Sequence, residues 1–202
     1  MSNSAATRTT AVLLAAGAGT RLGLGPKALL GFRGRTLVEV LADELLAGCC
    51  REVVIVLGAG AATVRAGTDL SRHHVLDNPD WNTGMGSSFR LGVAAALPED
   101  HLLIALVDQP GLARNTVARL LAAHRPGRVT AAAYRAPDGE PRRGHPLLLD
   151  VSLRSEAAAM AAGDAGARLF LRANPELIDL VDCSDLYGGE DLDEPGQLHL
   201  LG

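Results

Sequence analysis

The chain has 202 residues, which is long enough to bury one large core, and we expect a single domain. Its formal net charge is −4 at pH 7, so it carries no basic field for nucleic acid or an anionic membrane, and we expect neither partner. Hydrophobic residues make up 48% of the chain but aromatic residues only 3%, which favours close packing of helices on a sheet through small side chains.

The first ten residues, MSNSAATRTT, are small and polar. We expect residues 1–10 to be a disordered tail and residues 11–202 to form the domain. The tail contains no apolar segment of a signal peptide, and no later apolar run approaches the roughly 18 residues of a membrane helix. The three cysteines lack a CxxC spacing, which favours free thiols in a reducing compartment. These features predict a cytoplasmic protein.

Residues 12–15 form a short apolar run without charge, which predicts a strand buried on both faces at the centre of a parallel sheet. A glycine-rich turn follows, and its glycines tolerate positive φ and allow a ligand to approach the backbone. Such a loop presents N–H groups to an anion, and Arg21 and Lys27 add positive charge. We interpret this loop as a phosphate-binding site.

Lys27 is the only lysine in the chain, since the other 18 of the 19 basic residues are arginine. This composition predicts that position 27 requires a compact ammonium group and not a planar guanidinium. The alternative is a solvated surface lysine. The glycines have the spacing G-x-G-x-x-x-G, and no acid for a ribose follows the second predicted strand, so the sequence gives little support to an NAD site.

The next segments alternate between helix and strand patterns. Thr36 and Glu39 have the spacing of a capping box and predict a helix that ends at Gly48. Residues 53–57 and 74–76 predict two further strands, with a short helix between them. This βαβαβ order predicts an α/β fold with a Rossmann-like, mostly parallel sheet between two helical layers, a three-layer α/β/α architecture.

Residues 77–92, DNPDWNTGMGSSFRLG, combine turn residues with glycines and serines. We expect Ser87 or Ser88 to cap a helix that carries residues 91–97. Gly84 and the two serines offer N–H and hydroxyl donors suited to a nucleobase or a ribose. The alternative is an ordinary connection between a strand and a helix.

Residues 101–107, HLLIALV, predict another buried strand, and Asp108 follows it directly. Open parallel sheets bind ligands at the carboxyl ends of their strands. A carboxylate at this position suits Mg²⁺, which takes few protein ligands and completes its coordination with water and phosphate oxygens. The alternative is that Asp108 caps the helix predicted for residues 113–124.

The second half of the chain is predicted to contain strands at residues 128–134, 144–149 and 177–181, with helices at residues 151–162 and 169–172. His145, between a glycine and a proline, is interpreted either as a contact to a second substrate or as a structural residue. The acidic residues after position 181 are typical of a solvated tail, although the segment DLDEP could instead return a carboxylate to the metal.

The motifs LAAGAGTRLG and PKALL resemble the signature of nucleotidyltransferases that transfer a nucleoside monophosphate from a nucleoside triphosphate, the group that contains the molybdenum cofactor cytidylyltransferases and guanylyltransferases. The resemblance implies a fold of the nucleotide-diphospho-sugar transferase type. It also implies that the glycine loop and Arg21 hold the triphosphate and that Lys27 contacts the phosphates and the transition state. The nucleotide-binding positions so implied are Leu14, Ala15, Ala16, Gly17, Gly19, Thr20 and Lys27.

Four later segments are similar to the same family and occur in the same order. The resemblance implies contacts to the nucleobase from Gly84, Ser87 and Ser88, and Mg²⁺ ligation by Asp108 and Asp193. It further implies that the segments RRGHP and GDAGAR contact the acceptor through Gly144, His145 and Arg168. The alanine in the opening LAAG favours CTP over GTP.

The implied reaction is transfer of CMP from CTP to a phosphorylated acceptor, most simply molybdopterin, with release of pyrophosphate. Lys27, Arg21 and Asp108 are the implied catalytic residues, and a molybdenum hydroxylase is the implied recipient of the cofactor. The proteins that resemble this family also include NAD(P)H-dependent reductases of nicotine blue, a quinone-like pigment, and such a reductase is the main alternative. A guanylyltransferase and a nucleotide-binding chaperone for a molybdenum enzyme are further alternatives.

Overall fold

A computed structural model describes residues 8–136 and 138–202 of the protein. Within these residues there are nine strands and six α-helices. The strands are Thr9–Ala15 (β1), Gly31–Phe32 (β2), Arg35–Thr36 (β3), Glu52–Leu57 (β4), His74–Asp77 (β5), His101–Leu106 (β6), Val129–Arg135 (β7), Pro141–Leu149 (β8) and Ile178–Asp182 (β9). The helices are Leu37–Ala47 (α1), Ala61–Ala66 (α2), Met85–Ala95 (α3), Arg114–Ala123 (α4), Arg154–Met160 (α5) and Arg168–Ala173 (α6).

In this part of the chain the main sheet has seven strands in the order β5-β4-β1-β6-β8-β7-β9, and β2 pairs with β3 in a separate hairpin. Strands β5, β4, β1 and β6 run parallel to one another, and β7 runs parallel to β9. Strand β8 is antiparallel to both of its neighbours, β6 and β7. The expected mostly parallel sheet is therefore confirmed, although β1 is the third strand of seven and the central position belongs to β6.

Strand β1 shows how the sheet separates two helical layers. All seven of its residues are buried, and alternate side chains enter different clusters. Leu13 packs in a cluster with residues of α1 and α4, such as Leu41 and Val117. Leu14 packs in a second cluster with Phe89 of α3 and Phe170 of α6. Because successive side chains of a strand point to opposite faces, this division confirms the three-layer α/β/α architecture.

Two local expectations are corrected. Residues 1–7 of the expected tail lie outside the described residues, but Thr9 and Thr10 are fully buried and begin β1. They extend the strand because both are β-branched, and the Thr10 hydroxyl also donates to the buried carboxylate of Asp100 at 3.1 Å.

Helix α3 begins before the serines that were expected to cap it. Its first residue is Met85 and its N-cap is Gly84, whose φ of 110° is a conformation that glycine adopts readily. Ser87 therefore lies inside the helix, where its hydroxyl donates to the carbonyls of Asp80 at 3.0 Å and Gly84 at 2.9 Å. The capping box of α1 at Thr36 and Glu39 forms as expected.

No helix in the described part of the chain combines the length and the apolar character needed to span a bilayer.

Candidate active site

The glycine-rich loop follows the carboxyl end of β1 and folds back on itself. The N–H groups of Leu22 and Gly23 both donate to the carbonyl of Gly19 at 3.1 Å. Gly19 has a φ of 63°, and a Cβ at this position would overlap the carbonyl oxygen of Gly25. Leu22 is only 5% exposed and anchors the loop to the core. The close turn therefore requires glycine, and backbone hydrogen bonds hold it.

Lys27 is not the solvated surface lysine of the alternative interpretation, because its side chain is only 12% exposed. It begins a short 3-10 turn, Lys27–Leu29, immediately after the loop. Its ammonium group donates to Asp193 Oδ1 at 2.5 Å and to Asp108 Oδ2 at 3.2 Å. The lone lysine therefore lies between two carboxylates that are 81 and 166 positions away in the chain.

Asp108 follows β6, at the carboxyl edge of the sheet, and does not cap the next helix. Helix α4 begins at Arg114 with Ala113 as its N-cap. Desolvation raises the pKa of the Asp108 carboxyl, and the charges of Asp191 and Asp193 add to this effect, while Lys27 opposes it. The second oxygen of the carboxyl, Oδ1, is buried and has no hydrogen-bond partner among the described residues.

Asp193 lies beside Lys27 and Asp108 because the C-terminal segment docks on the end of β6. Leu192 is fully buried in the core, and its N–H donates to the carbonyl of Asp108 at 2.7 Å. The N–H of Asp193 donates to the side-chain carbonyl of Gln197 at 2.8 Å. The hydrogen bond from Lys27 and the nearby Arg21, whose guanidinium lies 3.2 Å from Asp193, hold the pKa of this carboxyl below its usual value.

These residues surround a cleft of about 530 Å³ at the carboxyl edge of the sheet. Most of the residues predicted from the sequence line this cleft. They are Leu14, Ala16, Gly17, Gly19, Thr20, Arg21, Lys27, Gly84, Ser88, Asp108 and Asp193.

Five residues predicted to contact a substrate do not line the cleft, namely Ala15, Ser87, Gly144, His145 and Arg168. Ala15 is buried within β1, and the Ser87 hydroxyl is occupied by the two carbonyl contacts given above. Arg168 is exposed at the first position of α6. His145 lies near enough to Asp108 to feel its charge, but burial lowers the pKa of the imidazole to about 4 and the Asp108 charge only partly offsets this effect. The imidazole is therefore neutral near pH 7.

The cleft also contains residues that the sequence did not single out as binding residues. Trp81 is the only tryptophan of the chain, and its place in a glycine-rich stretch was the available signal. Asp164 reaches the cleft because its loop packs against Gly84, where the N–H of Gly86 donates to the carbonyl of Gly163 at 2.7 Å. The complete set of these additional residues is Ala18, Trp81, Asn82, Met85, Leu106, Val107 and Asp164.

The two carboxylates are suited to a hard divalent cation. Asp108 and Asp193 are held by the same ammonium group, so their oxygens are close together, and Asp108 Oδ1 is a buried acceptor that lacks a protein donor within the described residues. A buried carboxylate oxygen without a donor carries a large desolvation cost, which a cation can offset. The residues present therefore fit a hard divalent cation.

Residues 11–178 match the model of the MobA-like NTP transferase domain family. This range contains Lys27 and Asp108, whereas Asp193 lies beyond it. The chain is also 56% identical over 194 residues to a protein named nicotine blue oxidoreductase from Paenarthrobacter nicotinovorans, and the match covers 95% of both chains.

Two solved structures share this fold. A nucleotidyl transferase from Methanothermobacter thermautotroptrophicus superposes with a TM-score of 0.80 at 22% identity, over 96% of each chain. The Rv0371C protein of Mycobacterium tuberculosis H37Rv, in a complex with manganese, superposes with a TM-score of 0.78 at 25% identity, over 96% of this chain and 98% of that one.

Proposed function

The chain belongs to the MobA-like NTP transferase domain family, and on this premise we propose that it transfers CMP from CTP to a phosphorylated acceptor and releases pyrophosphate. The observation that carries the proposal is the convergence of Lys27, Asp108 and Asp193 beside the glycine-rich loop. A phosphate-binding loop, a buried ammonium group and two carboxylates are the groups that nucleotidyl transfer requires. The manganese in the structure of the mycobacterial relative supports a divalent cation in this family.

In the proposed reaction an oxygen of the acceptor's terminal phosphate attacks the α-phosphorus of CTP. The bond from the α-phosphorus to the bridging oxygen of the β-phosphate breaks, and pyrophosphate leaves with that electron pair. No protein nucleophile is needed, so the protein acts by positioning the two substrates and by neutralising charge. Mg²⁺ held by Asp108 and Asp193 would supply charge neutralisation at the phosphate oxygens.

The residues of the chain have separate tasks in this reaction. The N–H groups of the loop around Gly17 and Gly19 bind the phosphates. Lys27 brings its ammonium group to the phosphates on a flexible side chain. The exposed Arg21 contacts them from the edge of the cleft. Ser88 and the backbone at Gly84 face the nucleobase. We propose CTP because the opening LAAG resembles the cytidylyltransferases.

The proposed acceptor is molybdopterin, and the proposed recipient of the product is a molybdenum hydroxylase. Both follow from the resemblance of the chain as a whole to the molybdenum cofactor cytidylyltransferases, whose acceptor-side motifs RRGHP and GDAGAR resemble. In the structure, Asp164 of the second motif lines the same cleft as the glycine loop. An acceptor bound there would lie beside the phosphates of CTP.

A second candidate function is the reduction of a quinone-like pigment by NADH or NADPH. The observation that favours it is the 56% identity to nicotine blue oxidoreductase over 95% of both chains. One hydride from the nicotinamide and one proton from water would reduce the pigment by two electrons and release NAD(P)⁺. The glycine loop could hold the pyrophosphate of the dinucleotide, and Trp81 and Met85 provide apolar cleft surface. The two partly buried carboxylates, Asp108 and Asp193, have no task in hydride transfer.

Thermal shift of the purified protein with CTP, GTP, ATP, NADH and NADPH, each with and without Mg²⁺, separates the two functions. A ligand at 100 times its dissociation constant adds about 2.7 kcal/mol to the free energy of unfolding. We expect stabilisation by CTP that requires Mg²⁺ and is lost in Asp108→Asn, with Glu156→Gln on the exposed face of α5 as the control. Pyrophosphate release with a molybdopterin acceptor then tests the transfer.

The opposite result would be stabilisation by NADH or NADPH without Mg²⁺, with none by CTP. That result would overturn the proposed transferase function in favour of the reductase function. Consumption of NADPH in the presence of nicotine blue would then establish the second function directly.

A further inference from the structure

A cluster of two histidines and one aspartate lies at the opposite edge of the sheet from the cleft. It consists of His101 at the start of β6, His124 directly after α4, and Asp150 directly after β8. Each residue offers one ligand atom, and the three atoms all lie within 4.8 Å of one another. Strand β6 separates His101 from Asp108 by seven residues, or about 20 Å along the strand. The cluster is therefore independent of the candidate active site.

The separations within the cluster are those of metal ligands and not of good hydrogen bonds. Asp150 Oδ2 lies 3.4 Å from His101 Nδ1 and 3.6 Å from His124 Nε2. A hydrogen bond between such groups is usually about 2.7–3.2 Å long. Two ligands that each lie about 2.1 Å from a tetrahedral zinc ion are about 3.4 Å apart. The two separations from Asp150 therefore match those of ligands on one cation, and the third lies within 4.8 Å.

His124 supplies an independent observation that points to a ligand. Its side chain is only 3% exposed, and its Nε2 is buried without a hydrogen-bond partner among the described residues. Its Nδ1 lies 2.9 Å from the hydroxyl of Thr130, which fixes the ring so that Nε2 is directed at Asp150.

Asp150 is also held in position by groups outside the cluster. Its other oxygen, Oδ1, accepts the hydroxyl of Ser152 at 2.6 Å and the N–H of Ser152 at 2.9 Å. Contacts of this kind orient metal ligands in proteins, and their loss typically weakens metal affinity about 10- to 100-fold. The ring of His101 packs edge-on against that of His124, with the ring centroids 4.7 Å apart.

We propose that His101, His124 and Asp150 form a binding site for Zn²⁺ or a similar divalent transition-metal ion, with water as the fourth ligand. The site joins β6, β8 and the end of α4 at the edge remote from the cleft. His101 Nδ1 also accepts the N–H of Val151 at 3.1 Å, so the metal competes with one backbone hydrogen bond for this lone pair.

The test uses the full chain carrying Asp108→Asn and Asp193→Asn, which removes the carboxylates of the cleft. Zinc is titrated against a chromophoric chelator, and Co²⁺ is added separately to record its visible absorption. We expect one Zn²⁺ per chain and the intense bands of tetrahedral Co²⁺. His124→Gln and His101→Gln, introduced singly, should each weaken Zn²⁺ binding at least about 10-fold.

His73→Gln is the matched control. The His73 side chain is also 3% exposed, and its Nδ1 is likewise buried without a partner among the described residues, but it lies outside the cluster. Zinc affinity should be unchanged in this variant. The proposal is overturned if Zn²⁺ does not bind saturably, or if His73→Gln weakens binding as much as His124→Gln.

Circular dichroism of every variant identifies any that fails to fold. If His124→Gln does not fold, the Co²⁺ spectrum of His101→Gln decides the outcome, because His101 is only half-buried. Retention of the tetrahedral spectrum in a folded His101→Gln would then overturn the proposed ligand set.

Discussion

Lys27 combines two properties at the scale of the single residue. It is the only lysine in the chain, and its ammonium group lies between Asp108 and Asp193 with only 12% of the side chain exposed. A guanidinium is larger and planar, and its donors have a fixed direction, so it cannot occupy this position in the same way. The spacing of the site therefore explains why one lysine stands in a chain that otherwise uses arginine.

We predict that Lys27→Ala lowers the turnover of nucleotidyl transfer by about 10²-fold or more, the scale for loss of one donor to the transition state. Lys27→Arg should restore little of this activity, because the charge is kept but the geometry is not. Steady-state pyrophosphate release measures both variants. Arg172→Lys is the control, because it also exchanges arginine and lysine but at an exposed position on α6. Near-normal turnover of Lys27→Arg would contradict the prediction.

The two carboxylates that contact Lys27 differ in the sign of their effect on folding. The pKa of Asp108 is raised, so its ionisation costs folding free energy; this cost is absent below the unfolded-state pKa and is fully present above the folded-state pKa. The pKa of Asp193 is lowered, so its charge stabilises the fold above the unfolded-state pKa, and this stability is lost as the pH falls.

The same substitution, aspartate to asparagine, made separately at each position tests this difference. At pH 7 we predict that Asp108→Asn raises the melting temperature and that Asp193→Asn lowers it, while both abolish stabilisation by CTP and Mg²⁺. Differential scanning calorimetry with and without the ligands gives both quantities. A lower melting temperature for Asp108→Asn would show that Lys27 outweighs the desolvation of this carboxyl.

At the scale of the element, the C-terminal segment completes the site although it is neither helix nor strand around Asp193. Leu192 is the residue that docks it, since its side chain is fully buried and its N–H donates to the carbonyl of Asp108. The acidic residues on either side of it, Asp191 and Asp193, are not buried. Gln109 donates to Asp191 Oδ1 at 2.7 Å and adds a second attachment.

Leu192→Ala tests whether this docking positions Asp193. Loss of a fully buried leucine side chain costs about 2–5 kcal/mol, which here weakens the attachment of the segment more than the folding of the sheet. We predict a higher Mg²⁺ requirement for CTP binding and faster amide exchange over residues 190–201. Leu198→Ala is the control, because Leu198 lies in the same segment and is 36% exposed. Equal effects of the two substitutions would rule out a specific role for Leu192.

At the scale of the whole molecule, ion pairs join elements that are distant in the chain. Asp179 on β9 accepts hydrogen bonds from Arg125 and Arg128, at distances between 2.7 and 3.1 Å. These bonds hold the pKa of Asp179 well below its usual value. They attach the outermost strand of the sheet to the connection between α4 and β7.

The pH dependence of stability follows from this lowered pKa. The stabilisation by Asp179 is fully present above the unfolded-state pKa of about 3.9 and is lost as the pH falls towards the folded-state value. We predict that the difference in melting temperature between the wild type and Asp179→Asn is largest near about pH 6 and shrinks towards about pH 3. Calorimetry across this range measures it, with Glu156→Gln as an exposed control. A constant difference would contradict the prediction.

The sequence by itself determined the features that depend on local patterns. Apolar runs and capping signals identified the order of strands and helices, because burial and backbone geometry impose a period on each element. The glycine loop and the aspartate after β6 were identifiable for the same reason, since both lie next to a predicted strand end. The antiparallel direction of β8 was not encoded in such a pattern.

Only the tertiary structure decided which distant residues meet. The contact of Lys27 with Asp193 depends on the docking of Leu192, and the entry of Asp164 into the cleft depends on the packing of Gly163 against Gly84. The cluster of His101, His124 and Asp150 likewise requires that β8 run back beside β6. The spacing of residues in the sequence does not predict such contacts, because the order of strands in the sheet and the docking of loops are set by the packing of the whole core.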